Sequence, residues 1–354
     1  DIQNPLNLVS QMVQSIGFGR PVLKTSLLSA ADVKSNEKAL LLMDHPTALI
    51  NRLGGDFRWQ HLPVPFEVYA DGIDLVIFEE FGSGAAALHL RDDIERDALI
   101  QDEDYRRWFR KDYEQKFGIR VWHRDFFDAE IVACPDESVI GKSFGQVGLD
   151  RGGVHPVDAF LDLVVEHGRQ LRWRTTISNH RPQMLKKIAT WPTVQMGFSD
   201  AGAHLRNMAF YNSGLRLLRH VRDAERAGKP FMSSEYAIHR LTGEVADFYD
   251  IDAGHLRVGD RADLVVIDPE HLDEQLEAYV EAPIEQFGGM SRMVNRNDSA
   301  VRAVLMSGQT VFADGRFSSA VGTVRTGSFL RAGRSTPPVS MQGTGNEAEL
   351  TPIR

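Results

Sequence analysis

The sequence predicts an α/β protein in which helices alternate with parallel strands, followed by a small β-rich unit. Three observations predict it. Segments with apolar residues at helical spacing take turns with short β-branched runs over the first two thirds of the chain. One of those runs, Val194-Gln195-Met196-Gly197-Phe198-Ser199, leads straight into Asp200. The last third changes to short strands and turns, with residues 300–306 and 309–313 flanking Ser307-Gly308 as a hairpin. At 354 residues, 42% hydrophobic and 25% charged, the chain can bury a large core in one or two domains.

Taken in order, Asn4 as N-cap and Pro5 at N1 open a first helix. Because the chain starts at Asp1 without a methionine and runs almost at once into this helix, upstream material is expected to be missing or to belong to another chain. Residues 21–28, apolar and β-branched after a Gly-rich break, read as a buried strand. A helix from about 37 to 53 is stopped by Gly54-Gly55, and residues 57–63 read as the next strand. From about 71 to 153 the pattern loosens into an insertion. It holds an apolar stretch at 75–81, a flexible Gly82-Ser83-Gly84, a charged helix near 92–114 and a strand at 130–134. The α/β rhythm resumes with helices at 156–165 and 181–189, the strand at 194–199 and a helix from about 213 to 227. Barrel-type elements are thus expected over 1–250 and the small β domain over 251–330, with a turn at 254–260 and a strand at 262–268. Residues 331–354 are polar, carry Pro337-Pro338, and read as a tail that is mobile or lies on a partner.

Several function classes are disfavoured. A net charge of −9 without a Lys/Arg-rich stripe argues against nucleic acid. No apolar run approaches the ~18 residues of a membrane span, and no signal peptide is evident. The single cysteine, Cys134, excludes an intrachain disulfide framework and fits a reducing, cytoplasmic setting.

An aspartate at the C-terminal end of a buried parallel strand sits where barrel enzymes place their chemistry. Asp200 meets that description, and Ala201, Gly202 and Ala203 leave room beside it for a metal, a water or a substrate. An isolated Ser-Asp dipeptide is more often a helix cap or turn. The wider segment Met196-Gly197-Phe198-Ser199-Asp200-Ala201-Gly202-Ala203-His204-Leu205 resembles the last-strand motif of N-acyl-D-amino-acid deacylases of the amidohydrolase superfamily. Leu241-Thr242-Gly243-Glu244-Val245-Ala246-Asp247-Phe248-Tyr249 is similar to that family's helix after the barrel. Residues 254–268 are similar to its return into a small β-sandwich.

The resemblance implies the C-terminal part of a (β/α)8 TIM-type barrel, about strands 6 to 8, plus a small β-sandwich. It implies Asp200 as metal contact and as the group that takes a proton from the attacking water and returns it to the leaving amine. It also implies a divalent metal, zinc by the family's mixture of histidine and carboxylate ligands. The reaction expected is hydrolysis of an amide C–N bond in an N-acyl amino acid or related small molecule. His204, four residues past Asp200, and His61, at the end of the second parallel strand, are substrate-site candidates, as are Arg206, the nearest arginine for a substrate carboxylate, and Asn179 in the loop before the last strand.

The chain departs from the family pattern in two ways. It contains no His-x-His, and Ser26 or Leu27 stands where the sixth strand would carry a histidine. Three strands cannot close a barrel, so a separate segment or chain carrying His-x-His is expected to complete it, in an oligomer. Two alternatives stand beside the deacylase reading: a metal-free, degenerate barrel serving as a binding or scaffold subunit, and a cyclic-amide hydrolase of the same superfamily.

Overall fold

The structure, a computed structural model, describes Ser10 and residues 24–27, 30–37, 44–115, 120–198, 204–295, 297–333 and 350–352, with the backbone alone at Lys24–Leu27, Gln286 and Leu350–Pro352. The helix expected after Asn4 lies outside the described residues. The protein is of mixed α/β class.

Three parallel strands, β1 (Lys24–Leu27), β2 (Asp56–His61) and β6 (Val194–Met196), pair in the order β1-β2-β6. Lys24 aligns with Asp56, Trp59 with Val194 and His61 with Met196. These are the three parallel strands read from the sequence. β2 alternates half-buried and buried positions, so Phe57, Trp59 and His61 share its inner face. Phe57 and Trp59 pack with Val194 and Met196 of β6, and with Ile188, Leu217, Val221 and Ala237 from the helices Pro182–Ile188, Ser213–Arg226 and Ser234–Leu241. The helix ahead of β2 spans Asp44–Arg52, and its Thr47 accepts a 2.7 Å bond from Trp59 Nε1, so the indole is buried without losing its partner.

Arg240 is fully buried and binds the main chain of the helix-to-strand turn. Its Nη1 donates to the carbonyls of Ala189 (2.9 Å) and Trp191 (3.1 Å), and its Nη2 donates to that of Val194. Glu244 lies 3.3 Å from its Nε and compensates the charge.

Between β2 and β6 the chain builds a second body. β3 (Phe66–Asp71), β5 (Arg172–Ser178) and β4 (Ala129–Ala133) form an antiparallel sheet in the order β3-β5-β4. The expected insertion at about 71–153 therefore belongs to a sheet whose strands run from Phe66 to Ser178. The helix Pro156–His167, read as part of the resumed barrel rhythm, packs on the helices Asp93–Gln101, Glu103–Glu114 and Phe144–Asp150 of this same body. The single charged helix expected near 92–114 is two, because Asp102 takes an extended conformation and caps the second through Tyr105 N–H. The core is aromatic: Phe78, Phe109, Trp122, Phe126, Phe144, Phe160 and Trp173 are all fully buried. Phe126 and Phe160 stack with centroids 4.6 Å apart. Gly84 permits one close approach, since a Cβ there would sit 2.4 Å from the Phe78 carbonyl oxygen.

After the helices Ser234–Leu241 and Gly243–Tyr249 the chain turns to β structure. β7 (Leu264–Ile267), β10 (Val301–Met306), β11 (Gln309–Ala313), β12 (Arg316–Ser318) and β13 (Leu350–Pro352) make a five-stranded antiparallel sheet. The β10–β11 hairpin is the one predicted around Ser307-Gly308, and both turn residues have positive φ. β8 (Glu281–Ile284) and β9 (Met290–Met293) form a separate hairpin. Among the described residues no helix is long and apolar enough to cross a membrane.

Candidate active site

β2 and β6 run parallel, so their C-terminal ends emerge together, and Gly197 N–H donates to the His61 carbonyl at 3.1 Å. Beyond β6 the backbone passes through Gly197 at φ +153° and Phe198 at φ +111°. The second is a conformation that a phenylalanine adopts only when its surroundings enforce it, the kind of local strain that clusters at functional sites. The enforcement comes from the second body: the Phe198 ring stacks on Phe66 at 5.8 Å, and Phe66 packs on Phe210 at 5.1 Å. The strained exit leads to Ser199 and Asp200. Asp200, the residue on which the sequence reading centres, lies with 199–203 outside the described residues.

His61 is fully buried at the neighbouring strand end. Its Nδ1 sits 2.8 Å from the Ala30 carbonyl, an acceptor, so Nδ1 carries the proton. Burial pushes the imidazole pKa down to about 4, so the ring is neutral at pH 7. Nε2 is buried on the face of β2 that packs against the helices, where the Leu185 carbonyl and the Arg240 guanidinium lie close to the ring.

The other candidates fall in different places. His204 lines a cleft of about 570 Å³ with Asp74, Arg91, Arg96, Arg169 and Asn207, and its carbonyl accepts the N–H groups of Asn207 (2.9 Å) and Met208 (3.1 Å). Arg206 points elsewhere, with Nε 2.6 Å from Asp71 Oδ2 and Nη1 2.9 Å from Glu281 Oε2. These carboxylates hold its charge firmly, pushing its pKa up. Asn179, buried with φ +59°, donates from Nδ2 to the carbonyls of Leu62 (2.9 Å) and Val64 (3.2 Å), and its Oδ1 accepts Asp32 N–H (3.0 Å). Its side chain locks the point where the chain leaves β2 to the point where it returns from β5. The structure thus brings the ends of β2 and β6 together, with His61 on one and Gly197-Phe198 following the other, and commits Arg206 and Asn179 to holding the loops around them.

A network that the sequence reading did not find braces the segment after Asp200. Asp71 also accepts from Arg172 Nη1 at 2.7 Å, and Arg172 Nη2 donates to the Arg206 carbonyl at 2.6 Å. Glu281 accepts from Ser291 at 2.7 Å and from Tyr279, whose ring stacks on Tyr69. The pairs Tyr69–Asn207 and Met293–Leu205 add backbone bonds of 2.8 and 2.9 Å. The available signal was Arg172-Trp173-Arg174-Thr175-Thr176-Ile177, a strand alternation in which Arg172 and Arg174 conceal the apolar face.

A catalytic zinc keeps three protein ligands and an open position. Among the described residues no group of three or more His, Cys, Asp or Glu could hold a metal ion. His61 Nε2 would supply a single donor, and one imidazole falls short of a full set.

No family model matches the chain. Among solved structures it is similar to a Bordetella bronchiseptica N-acyl-D-glutamate deacylase crystallised with zinc and a phosphonate inhibitor. The TM-score is 0.46 and the identity 17%, over 86% of this chain and 49% of that one. It is also similar to a D-aminoacylase, with TM-score 0.34 and 19% identity, over 57% of this chain and 37% of that one. Among curated sequences it is 52% identical over 343 residues to uncharacterized proteins of Mycobacterium tuberculosis and Mycobacterium bovis. The match takes in 94% of this chain and 56% of each relative, so the chain spans little more than half the length of the curated relatives it matches.

Proposed function

We propose that this chain carries one side of the active site of a metal-dependent hydrolase that cleaves the amide C–N bond of an N-acyl amino acid or related small molecule. The observation that carries the reading is the pair of adjoining parallel strand ends. β6 exits through a strained Gly197-Phe198 step that precedes Asp200 in sequence, and β2 ends in a buried neutral imidazole. Such ends are where barrel enzymes keep their chemistry. In this reading Asp200 takes the proton of the attacking water and returns it to the leaving amine. His61, buried behind the strand end, is a positioning residue, and His204 borders the mouth of the site. Arg206 and Asn179 are positioning residues. A divalent ion, zinc in the first instance, would supply a water of lowered pKa when bound. Its remaining ligands, a His-x-His pair among them, would come from a complementing segment or chain.

The same reading makes β1, β2 and β6 about strands 6 to 8 of a (β/α)8 barrel over residues 1–250, and the antiparallel sheet after 251 part of a β-sandwich, in a cytoplasmic oligomer. The test is metal analysis of the intact assembly together with turnover of N-acetyl-D-amino acids by wild type and Asp200→Asn. Stoichiometric divalent metal is expected. Turnover should fall by about 10²–10⁴-fold in the variant, with metal partly retained. A metal-free, fully folded assembly indifferent to the change would overturn the reading in favour of a scaffold subunit.

A further inference from the structure

We infer that Phe66 is a positioning residue for Asp200: its ring clamps together the two ends of the segment that carries the aspartate. The inference rests on the hydrolase reading and names the residue through which the second body acts on that site. In sequence Asp200 lies between Phe198, just past the end of β6, and Phe210, which follows the turn containing Arg206 and Asn207. Both rings meet the same partner. Phe198 stacks on Phe66 with centroids 5.8 Å apart and planes 24° from parallel, and Phe210 tilts against it at 5.1 Å. Phe198 keeps its φ of +111° with its ring held there.

The clamp is mounted on a stiff support. Pro65 fixes the backbone immediately before Phe66, and the Val64 carbonyl accepts Asn179 Nδ2 at 3.2 Å. A register shift between Phe66 and Glu67 interrupts the pairing of β3 with β5, a device that re-aims a side chain out of the regular alternation. Further along β3 the returning half of the segment is tied down again. Tyr69 N–H donates to the Asn207 carbonyl at 2.8 Å, Asn207 Nδ2 donates to the Tyr69 carbonyl at 2.7 Å, and Asp71 holds Arg206 at 2.6 Å. Those bonds act on the returning half, whereas Phe66 grips the outgoing half as well. Segments whose ends are held close together are compact and frequently functional. A reacting group needs such support, because about 1 Å of misplacement costs on the order of 10²-fold in rate.

The experiment is amide hydrogen exchange of the full chain. It is read at the Gly197 amide, which bonds the His61 carbonyl, and at the Asn207 and Met208 amides, which bond the His204 carbonyl. Phe66→Ala should speed exchange at both places about 10-fold or more, and Phe66→Tyr should restore the wild-type rates. Phe198→Gly, which admits the same backbone but removes one ring, should free Gly197 alone. Phe144→Leu, in the same core against Phe126, Phe160 and Trp173, should free neither, which separates the clamp from general destabilisation. Release at one end only in Phe66→Ala, or equal release in Phe144→Leu, overturns the inference. Should Phe66→Ala not fold, Phe198→Gly decides, and unchanged exchange at Gly197 overturns it. Kinetics separate the clamp from the chemistry. In the metal-loaded assembly Phe66→Ala should lower kcat on N-acetyl-D-amino acids by about 10- to 10²-fold at nearly constant KM. A wild-type kcat in a variant whose exchange is released removes the positioning role and keeps the hydrolase. The expected exchange pattern in a chain whose assembly shows no turnover keeps the clamp and removes the hydrolase.

Discussion

At the scale of single residues, His61 ties the site to stability. Its folded-state pKa of about 4 lies below the ordinary value of 6.5, because burial opposes the charged form more than the Ala30 carbonyl supports it. Above pH 6.5 the ring is neutral in both states and has no effect. As pH falls through 6.5 the unfolded chain takes up the proton first, and stability drops until about pH 4, by roughly 3 kcal/mol in all. Urea midpoints measured from pH 8 to pH 4 should show that slope in wild type and a flatter one in His61→Gln. A slope unchanged in the variant would mean that other groups dominate the acid limb. His61 was legible as a site candidate because it ends a strand. Its tautomer was not, since the Ala30 carbonyl that fixes it lies 31 residues away. Arg206 shows the converse: a lone arginine after an aspartate reads as available, yet its partners Asp71 and Glu281 stand 135 and 75 residues off.

At the scale of elements, strands with a uniform apolar signal were legible, and strands whose arginines are neutralised in the fold were not. β1, β2 and β6 declared themselves as short buried runs. β5 did not, because Arg172 and Arg174 punctuate it, and their charges become tolerable only against Asp71, Glu67 and Glu130 on the flanking strands. Asn179 is the joint between the two groups of strands. Its three side-chain bonds and its left-handed backbone are both unavailable to alanine, so Asn179→Ala should lower stability by about 3 kcal/mol. Asn179→Gly, which keeps the backbone conformation, should lose somewhat less. Equilibrium denaturation of the pair checks this, and equal losses would assign the whole effect to the hydrogen bonds.

At the scale of the whole molecule, the second body has its own core, distinct from that of the parallel sheet. Phe160 sits at the centre of its aromatic cluster, in contact with Phe78, Phe109, Phe126, Phe144 and Trp173. Phe160→Ala should lower stability by about 4 kcal/mol. Tryptophan fluorescence should report the loss through Trp122 and Trp173, and a variant that unfolds with the wild-type midpoint would refute it.

The threading of the parallel sheet also orders events in time. Trp59 and Val194 face each other across β2 and β6, yet the entire β3-to-β5 body separates them along the chain. Strand pairs so distant in sequence are slow to meet, because the ends of a long flexible loop must first be gathered. A body that has already collapsed on its own aromatic core presents its two ends side by side at Asn179, and the loop to be closed becomes short. The strand ends that bear His61 and lead to Asp200 would then be assembled last, on a platform that is already solid.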